Sequence, residues 1–289
     1  MARATKQNSP EFMIRHEKLD LHICLSSSDK LRLHEETIPD RVAELKREFL
    51  HDQVVKDPIV VDADSYVVLD GMHRVAALRE LNCACVPVCA VDYLNPSIRV
   101  GAWYRAMFGK LSPSQVKSTL SASGLMPDAF SSDMAKIMDN PTLAILFANG
   151  ECYRLKSDSL HVFETLRIAE QCLRQLGFTV NFETEHDALQ ILANKRTQAV
   201  MTLPKIDKAS VRKAGLTGRL LPHKVTRHII PARPLGVNVP LKILTDQGAQ
   251  LLEANQSFVS SLQARKMTRR PSGTIIGGRR YEEETFIFN

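Results

Sequence analysis

The chain has 289 residues, of which 44% are apolar and 24% are charged. This composition is typical of globular proteins and excludes a chain that is mainly disordered. No apolar run approaches the roughly 18 residues of a membrane helix, and the N-terminus lacks the apolar segment of a secretory signal. We therefore expect a cytoplasmic protein without a membrane partner.

The six cysteines of the chain are too few for a disulfide scaffold. The spacing of Cys83, Cys85 and Cys89 fits buried strands better than a metal site.

The net charge of +6 is unevenly distributed along the chain. Residues 1–110 contain 15 lysines and arginines against 16 aspartates and glutamates, whereas residues 111–289 contain 23 against 16. A positive excess in the second part favours anionic partners such as phosphate groups or nucleic acid. A solvated basic surface is the alternative explanation.

The first elements follow a short atypical segment. Residues 1–12 contain Ser-Pro-Glu-Phe just before a second methionine, a pattern that resembles a cloning-site remnant. We take Met13 as the native start and leave residues 1–12 out of the fold prediction.

Strands and helices then alternate, which predicts a first α/β domain over residues 13–110. Apolar patterning, prolines and turn residues define its elements. In chain order these are a strand over Lys18–Leu25, a helix that opens at Pro39 and carries Val42, Leu45 and Phe49 on one side, a hairpin of Pro58–Asp62 with Tyr66–Leu69, a helix over Val75–Leu81 and a strand over Val86–Val91.

Residues 111–289 predict a helical connector and a second, smaller α/β domain. The connector covers residues 112–140 and is interrupted by prolines. A long amphipathic helix capped by Asp158 or Ser159 runs to Gly177, and a β-α-β unit follows it. The other predicted elements are strands over Phe178–Phe182 and Ala199–Leu203, a helix over His186–Lys195, an ordered proline-rich loop over Leu221–Val239, a helix over Ala249–Gln263 and a mobile end over Arg265–Asn289.

Two motifs carry groups that can bind phosphate. Asp70-Gly71-Met72-His73-Arg74 lies between a predicted strand and a predicted helix, where unpaired backbone N–H groups favour anions. A capped turn with a hydrogen bond between His73 and Asp70 is the alternative. Lys224-Val225-Thr226-Arg227-His228 presents cationic groups and a hydroxyl between two prolines, which suits a nucleotide phosphate tail; a basic surface loop is the alternative.

The segment VVLDGMHRVAAL, with KDPIVVD before it and VPVCAVDY after it, resembles the ParB/sulfiredoxin superfamily. Within this superfamily the chain is most similar to the free L-serine kinases, through His34-Glu35, Asp70–Arg74, Val91-Asp92-Tyr93 and Lys224–His228. The sulfiredoxins have a nucleophilic Cys where this chain has Met72, which cannot serve as a nucleophile. A ParB-like nucleotide- or DNA-binding regulatory protein remains the alternative, although no DNA-reading element is recognisable.

The resemblance implies a kinase that transfers a phosphoryl group from ADP or ATP to the hydroxyl of free L-serine, with Mg²⁺ as cofactor. It implies that Glu35 is the general base, although Glu36 is not separated from it by sequence alone. It also implies that Asp70 orients the hydroxyl or the Mg²⁺. The implied phosphate-binding residues are Gly71, Met72, His73, Arg74, Lys224, Thr226, Arg227 and His228. The implied serine-binding residues are Trp103 and Glu36, and a core tryptophan is the alternative for Trp103.

The resemblance also gives the expected architecture. It implies a ParB/sulfiredoxin-like N-terminal domain, a smaller α/β domain and a nucleotide cleft between them, in which closure would exclude water. Nucleic acid is not an expected partner of such an enzyme.

Overall fold

The computed structural model describes residues 10–110, 112–130, 141–156, 161–246 and 250–289. The chain folds into two structural units, and each is described by itself below. The first unit contains residues 1–99, 208–220 and 228–289, and the second contains residues 100–207 and 221–227.

The described residues form a mixed α/β structure, which confirms the predicted class. The strands, numbered in chain order, are β1 (Phe12–Ile14), β2 (Leu21–Ser27), β3 (Val54–Val55), β4 (Ile59–Asp62), β5 (Val68–Asp70), β6 (Cys85–Val91), β7 (Arg99–Gly101), β8 (Trp103–Phe108), β9 (Pro127–Ala129), β10 (Ala144–Phe147), β11 (Cys152–Leu155), β12 (Thr179–Thr184), β13 (Ala199–Thr202), β14 (Arg227–Ile229), β15 (Ala232–Leu235), β16 (Val239–Pro240), β17 (Met267–Arg270), β18 (Ile275–Ile276), β19 (Arg279–Arg280) and β20 (Glu284–Phe288). The helices are α1 (Pro39–Asp52), α2 (Met72–Glu80), α3 (Pro113–Ala122), α4 (Val162–Gln175), α5 (Glu185–Ala193), α6 (Lys208–Thr217), α7 (Leu241–Thr245) and α8 (Leu251–Gln263), and a 3₁₀ turn spans Ser28–Lys30. Within these ranges, none of the helices has both the length and the apolar character needed to cross a membrane.

The main sheet of the first unit has the strand order β1-β2-β6-β4-β5. Strands β4 and β6 are parallel, and the other neighbours are antiparallel. The predicted hairpin is confirmed as β4 and β5, and the predicted helices are present as α1 and α2. Helix α1 begins at Pro39 and buries Val42, Leu45 and Phe49, because these side chains share one face at helical spacing.

The C-terminal part of the chain completes the first unit, which differs from the predicted division at residue 110. Strand β20 pairs in parallel with β15 and antiparallel with β17, so the prediction of a mobile end over residues 265–289 is wrong. The side chain of Asn255 on α8 accepts a hydrogen bond from Leu25 N–H at 2.7 Å. Residues 221–239, predicted as a loop, contain β14 and β15. Strand β15 forms because residues 232–235 pair with a strand 52 positions further along the chain (232 to 284).

Part of the segment excluded from the fold prediction also belongs to the first unit. Phe12 pairs with Ile23 in the main sheet, and its ring contacts that of Phe288 with centroids 5.2 Å apart. The carbonyl of Pro10 accepts a hydrogen bond from the Asn255 amide at 2.6 Å. Residues 10–12 therefore contribute to the fold, whatever their origin.

The second unit is built on a six-stranded antiparallel sheet with the order β12-β8-β13-β10-β11-β9. The predicted β-α-β unit is β12-α5-β13, and β8 lies between its two strands. The predicted boundary at residue 110 therefore follows β8 and falls inside this unit. Helix α3 is capped by Ser112. Helix α4 begins at Val162, and the predicted caps Asp158 and Ser159 lie outside the described residues.

Candidate active site

The turn between β5 and α2 depends on a glycine. Gly71 has a φ of 103°, and a Cβ on it would lie 2.8 Å from a guanidinium nitrogen of Arg74 and 2.8 Å from Ile59 Cδ1. Arg74 donates to the carbonyls of Asp57 at 2.9 Å and Pro58 at 3.1 Å, and to Asp70 at 3.0 Å. These bonds give Arg74 a structural role in the turn, so its binding to a phosphate group stays a prediction.

Asp70, the last residue of β5, forms ion pairs with two arginines. One is Arg74, and the other is Arg233 on β15, which also pairs with Glu283. Burial alone would raise the pKa of Asp70, but the charges of Arg233 and Arg74 outweigh burial and hold this pKa well below its usual range. Asp70 is therefore a carboxylate at neutral pH. The sequence motifs did not indicate Arg233 or Glu283, because Arg233 lies 163 positions from Asp70 in the chain and Glu283 contacts Arg233 from 50 positions away.

The described residues do not fit a resident Mg²⁺ site at Asp70. Both arginines bind the same carboxylate oxygen of Asp70, and a divalent cation there would be repelled by the two guanidinium groups. Within the described ranges, no group of three His, Cys, Asp or Glu side chains could hold a metal ion. Mg²⁺ binding by Asp70 thus stays a prediction that this geometry disfavours.

The segment with His34 and Glu35 runs along β5. Arg32 forms a parallel bridge with Val67. Glu35 lies three residues after Arg32, and Asp70 lies three residues after Val67. The Nδ1 of His34 donates to the carbonyl of Val68 at 2.7 Å, and its Nε2 lies 3.9 Å from a carboxylate oxygen of Glu35. Burial lowers the pKa of His34 to about 4, so the imidazole is neutral at pH 7.

The two glutamates differ in exposure. Glu35 is buried, with 3% of its surface exposed, whereas Glu36 is half-buried. His73 fixes the chain just beyond them, because its Nε2 accepts a hydrogen bond from Ile38 N–H at 3.0 Å. Met72 is half-buried in the first turn of α2.

His228 lies beside the His34 segment within the first unit. Its Nε2 is 2.8 Å from the Tyr93 hydroxyl, and its ring centroid is 5.3 Å from that of His34. Burial, reinforced by the nearby His34, lowers the pKa of His228 to about 3. His228 is therefore neutral at pH 7, and it can act toward a phosphate group only as a hydrogen-bond partner and not as the cation that the motif suggested.

The other predicted residues lie in the second unit and share one location. Lys224 Nζ lies 4.8 Å from the ring centroid of Trp103, and the Arg227 guanidinium carbon lies 5.9 Å from it. Arg227 pairs with Glu185 at 3.2 Å, and Glu185 also accepts a hydrogen bond from Ala102 N–H at 2.7 Å. Thr226, from the same segment, is buried. The structure thus places two predicted cations over the predicted serine-binding tryptophan.

A pocket of about 690 Å³ in the second unit lies away from these residues. It is lined by residues near the end of β8, including Phe108 and Lys110, and by Arg196 before β13. Trp103 is at the start of β8, so the pocket and the tryptophan lie at opposite ends of the strand. The pocket does not coincide with the candidate site.

Comparisons with known proteins confirm the resemblance to L-serine kinases. The chain is 27% identical to an ATP-dependent L-serine kinase of Staphylothermus marinus over 226 residues, which cover 74% of this chain and 87% of the relative. It is 22% identical to the ADP-dependent L-serine kinase SerK of Thermococcus kodakarensis over 249 residues, or 81% and 97% of the two chains. No protein family model matches the sequence.

A solved structure shares the fold. A free serine kinase in complex with AMP superimposes with a TM-score of 0.66 and 20% identity, over 81% of this chain and 98% of that chain. The predicted similarity to the fold of the free serine kinases is therefore confirmed.

Proposed function

We propose that this protein is a kinase that phosphorylates free L-serine to O-phospho-L-serine with a nucleotide as phosphoryl donor. The observation that carries the mechanism is the position of the buried Glu35. Its segment lies beside the strand β5, which ends at the ionised Asp70. Both relatives described above are named L-serine kinases, so the similarity over most of the chain and the local geometry support the same reaction.

Glu35 acts as the general base in this proposal. It accepts the proton of the serine hydroxyl while the hydroxyl oxygen attacks the terminal phosphorus of the nucleotide. The bond between that phosphorus and the bridging oxygen breaks, and the electron pair stays on the departing nucleotide. The products are phosphoserine and AMP when ADP is the donor, or phosphoserine and ADP when ATP is the donor.

Asp70 orients the serine hydroxyl as a hydrogen-bond acceptor. Its two arginine partners support this role, since they keep the carboxylate ionised and fixed in position. Glu36 is assigned to serine binding on the basis of its half-buried position next to Glu35.

The remaining predicted residues bind the nucleotide phosphates and the serine. Gly71, Met72 and His73 offer the backbone N–H groups of the turn before and within α2. Lys224 and Arg227 supply positive charge, Thr226 and His228 supply hydrogen bonds, and Trp103 supplies an apolar wall for serine. The nucleotide cleft expected between the two predicted domains stays a prediction, as does the choice between ATP and ADP. Mg²⁺ is assigned no ligand in this chain.

A direct assay tests the proposed function. The purified protein is incubated with L-serine, MgCl₂ and either ATP or ADP, and phosphoserine is measured by mass spectrometry, with Glu35→Gln and a serine-free reaction as controls. Phosphoserine formed with one donor, and lost in Glu35→Gln, would support the proposal. Absence of phosphoserine with both donors would reject it, and salt-sensitive binding of DNA would then support the regulatory alternative.

A further inference from the structure

Arg105 is a fully buried arginine on β8, with 0% of its surface exposed. Its Nε donates to the carboxylate of Glu170 on α4. Its two terminal nitrogens donate to three backbone carbonyls, those of Trp103 at 2.7 Å, Lys224 at 2.9 Å and His223 at 3.2 Å. Burying a guanidinium is costly unless it is paired and hydrogen-bonded. These hydrogen bonds of Arg105 meet this requirement, so the residues around it form a specific binding site for its guanidinium.

The hydrogen bonds of Arg105 to the carbonyls of His223 and Lys224 restrain the backbone conformation of Lys224. The φ angle of Lys224 sets the orientation of the peptide group before it, and its ψ angle sets that of the peptide group after it. Because Arg105 binds the carbonyls of both peptide groups, it restrains both angles. Lys224 has a φ of 58°, in the left-handed region that is unfavourable for a residue with a side chain.

The backbone conformation of this segment sets the positions of the Lys224 and Arg227 side chains. Lys224 and Arg227 lie over the ring of Trp103, whose own carbonyl is bound by the same guanidinium. The ring of Phe182 lies 5.2 Å from the Arg105 guanidinium carbon and 5.4 Å from the ring centroid of His223. Arg105 thus contacts the backbone on both sides of this arrangement, at the tryptophan and at the cationic segment.

We propose that Arg105 is the positioning residue of the candidate site, and that it holds residues 223–227 in the conformation that directs Lys224 and Arg227 toward the nucleotide phosphates. This inference rests on the proposed function for the identity of the ligand, but the conformation itself can be tested without activity. Lysine cannot replace Arg105, because an ammonium group cannot reach one carboxylate and three carbonyls in a planar fork.

Trp103 provides a direct measurement, since it is the only tryptophan in the chain. Cations next to an indole ring raise the local concentration of iodide and lower that of caesium. The ratio of iodide to caesium quenching of the tryptophan fluorescence therefore reports whether Lys224 and Arg227 lie over Trp103. In Arg105→Lys we expect this ratio to fall by about twofold or more, with the KM for nucleotide rising about tenfold and kcat changing less than KM.

The controls separate positioning from general damage. Arg167→Lys, at a half-buried arginine of α4 that pairs with Glu164, should leave the quenching ratio and the KM unchanged. Thermal unfolding and acrylamide quenching verify that Arg105→Lys is folded. If Arg105→Lys does not fold, the same measurements are made on Glu170→Gln, which weakens the hydrogen bond of Glu170 to Arg105.

The outcomes are distinct from those for the proposed function. A folded Arg105→Lys variant with the wild-type quenching ratio would overturn the inference, and so would a reduced ratio with unchanged nucleotide affinity. If the wild type forms no phosphoserine, the proposed function fails; the affinity for ADP, measured by titrating Trp103 fluorescence, then replaces KM in the test of Arg105.

Discussion

The imidazole of His73 accepts a hydrogen bond from the backbone N–H of Ile38, with 3.0 Å between the two nitrogens. This bond ties the turn after β5 to the residue that precedes helix α1, and so to the segment that carries Glu35. We expect His73→Ala to lower the free energy of unfolding by about 1–2 kcal/mol, because a half-buried N–H loses its acceptor. Urea denaturation measures the loss. His51→Ala, at a highly exposed histidine, is the control, and an equal loss in both variants would contradict the role of this bond.

Glu35→Gln should reduce kcat by roughly 10²–10⁴, the range for a lost general base. The amide is similar in size to the carboxylate, so the affinity for nucleotide should change little. Steady-state kinetics with L-serine gives kcat, and fluorescence titration gives the nucleotide affinity. Glu36→Gln is the comparison for kcat, because Glu36 is assigned to serine binding and its loss should act on the KM for L-serine more than on kcat. If Glu36→Gln were the inactive variant and Glu35→Gln the active one, the base would be assigned to the wrong glutamate.

Arg227→Ala should weaken nucleotide binding by roughly ten- to a hundredfold, since a charge-assisted hydrogen bond contributes about 1.5–3 kcal/mol. The KM for L-serine should change less. Arg167→Ala controls for loss of positive charge elsewhere in the second unit. Unchanged nucleotide affinity in Arg227→Ala would mean that Arg227 serves only its ion pair with Glu185.

Arg233→Met should be strongly destabilising, by about 3 kcal/mol, because it leaves the buried side of Asp70 and the carboxylate of Glu283 without this partner. The double variant Arg233→Met/Glu283→Leu should recover part of the loss. Arg269→Met, which breaks a half-exposed and solvent-screened pair with Glu284, should cost much less stability than Arg233→Met. Chemical denaturation compares the three proteins, and equal effects of Arg233→Met and Arg269→Met would contradict this ranking.

The stability should fall as the pH is lowered from 6.5 to about 4.5. The folded-state pKa values of His34 and His228 lie below the ordinary value of 6.5, at about 4 and about 3. Between pH 6.5 and about 4.5, both histidines are therefore protonated in the unfolded chain but largely neutral in the folded chain. Lowering the pH in this window favours unfolding. Each histidine contributes up to about 1.4 kcal/mol per pH unit. Replacing both by Gln should flatten the profile relative to His51→Gln, and an unchanged slope would reject this explanation.

Local patterns predicted the elements that depend on nearby residues. Helix α1 follows from Pro39 and its apolar face, and the β4-β5 hairpin follows from two apolar runs around a turn. The pairing of β15 with β20 could not be predicted, because its partners are about 50 residues apart and the prolines before β15 suggest a loop.

The candidate site shows the same division between local and distant signals. The motif residues Asp70, Lys224 and Arg227 were visible in the sequence because they cluster within a few positions. Arg233, Glu283 and Arg105 were not, since each acts through a bond to a residue that only the tertiary structure brings near. Their roles rest on contacts across 50 to 163 positions of the chain.

The division of the first unit into three chain segments has a consequence for the order of folding. The sheet of the second unit lies wholly within residues 100–207, so its strands can meet through loops of moderate length. The first unit must bring Asn255 to Leu25, across 230 positions, before α8 can pack on its sheet. Loop closure over such a separation slows folding. The first unit, which holds Glu35 and Asp70, is therefore expected to reach its native state after the second, and to pass longer with apolar strands exposed to aggregation.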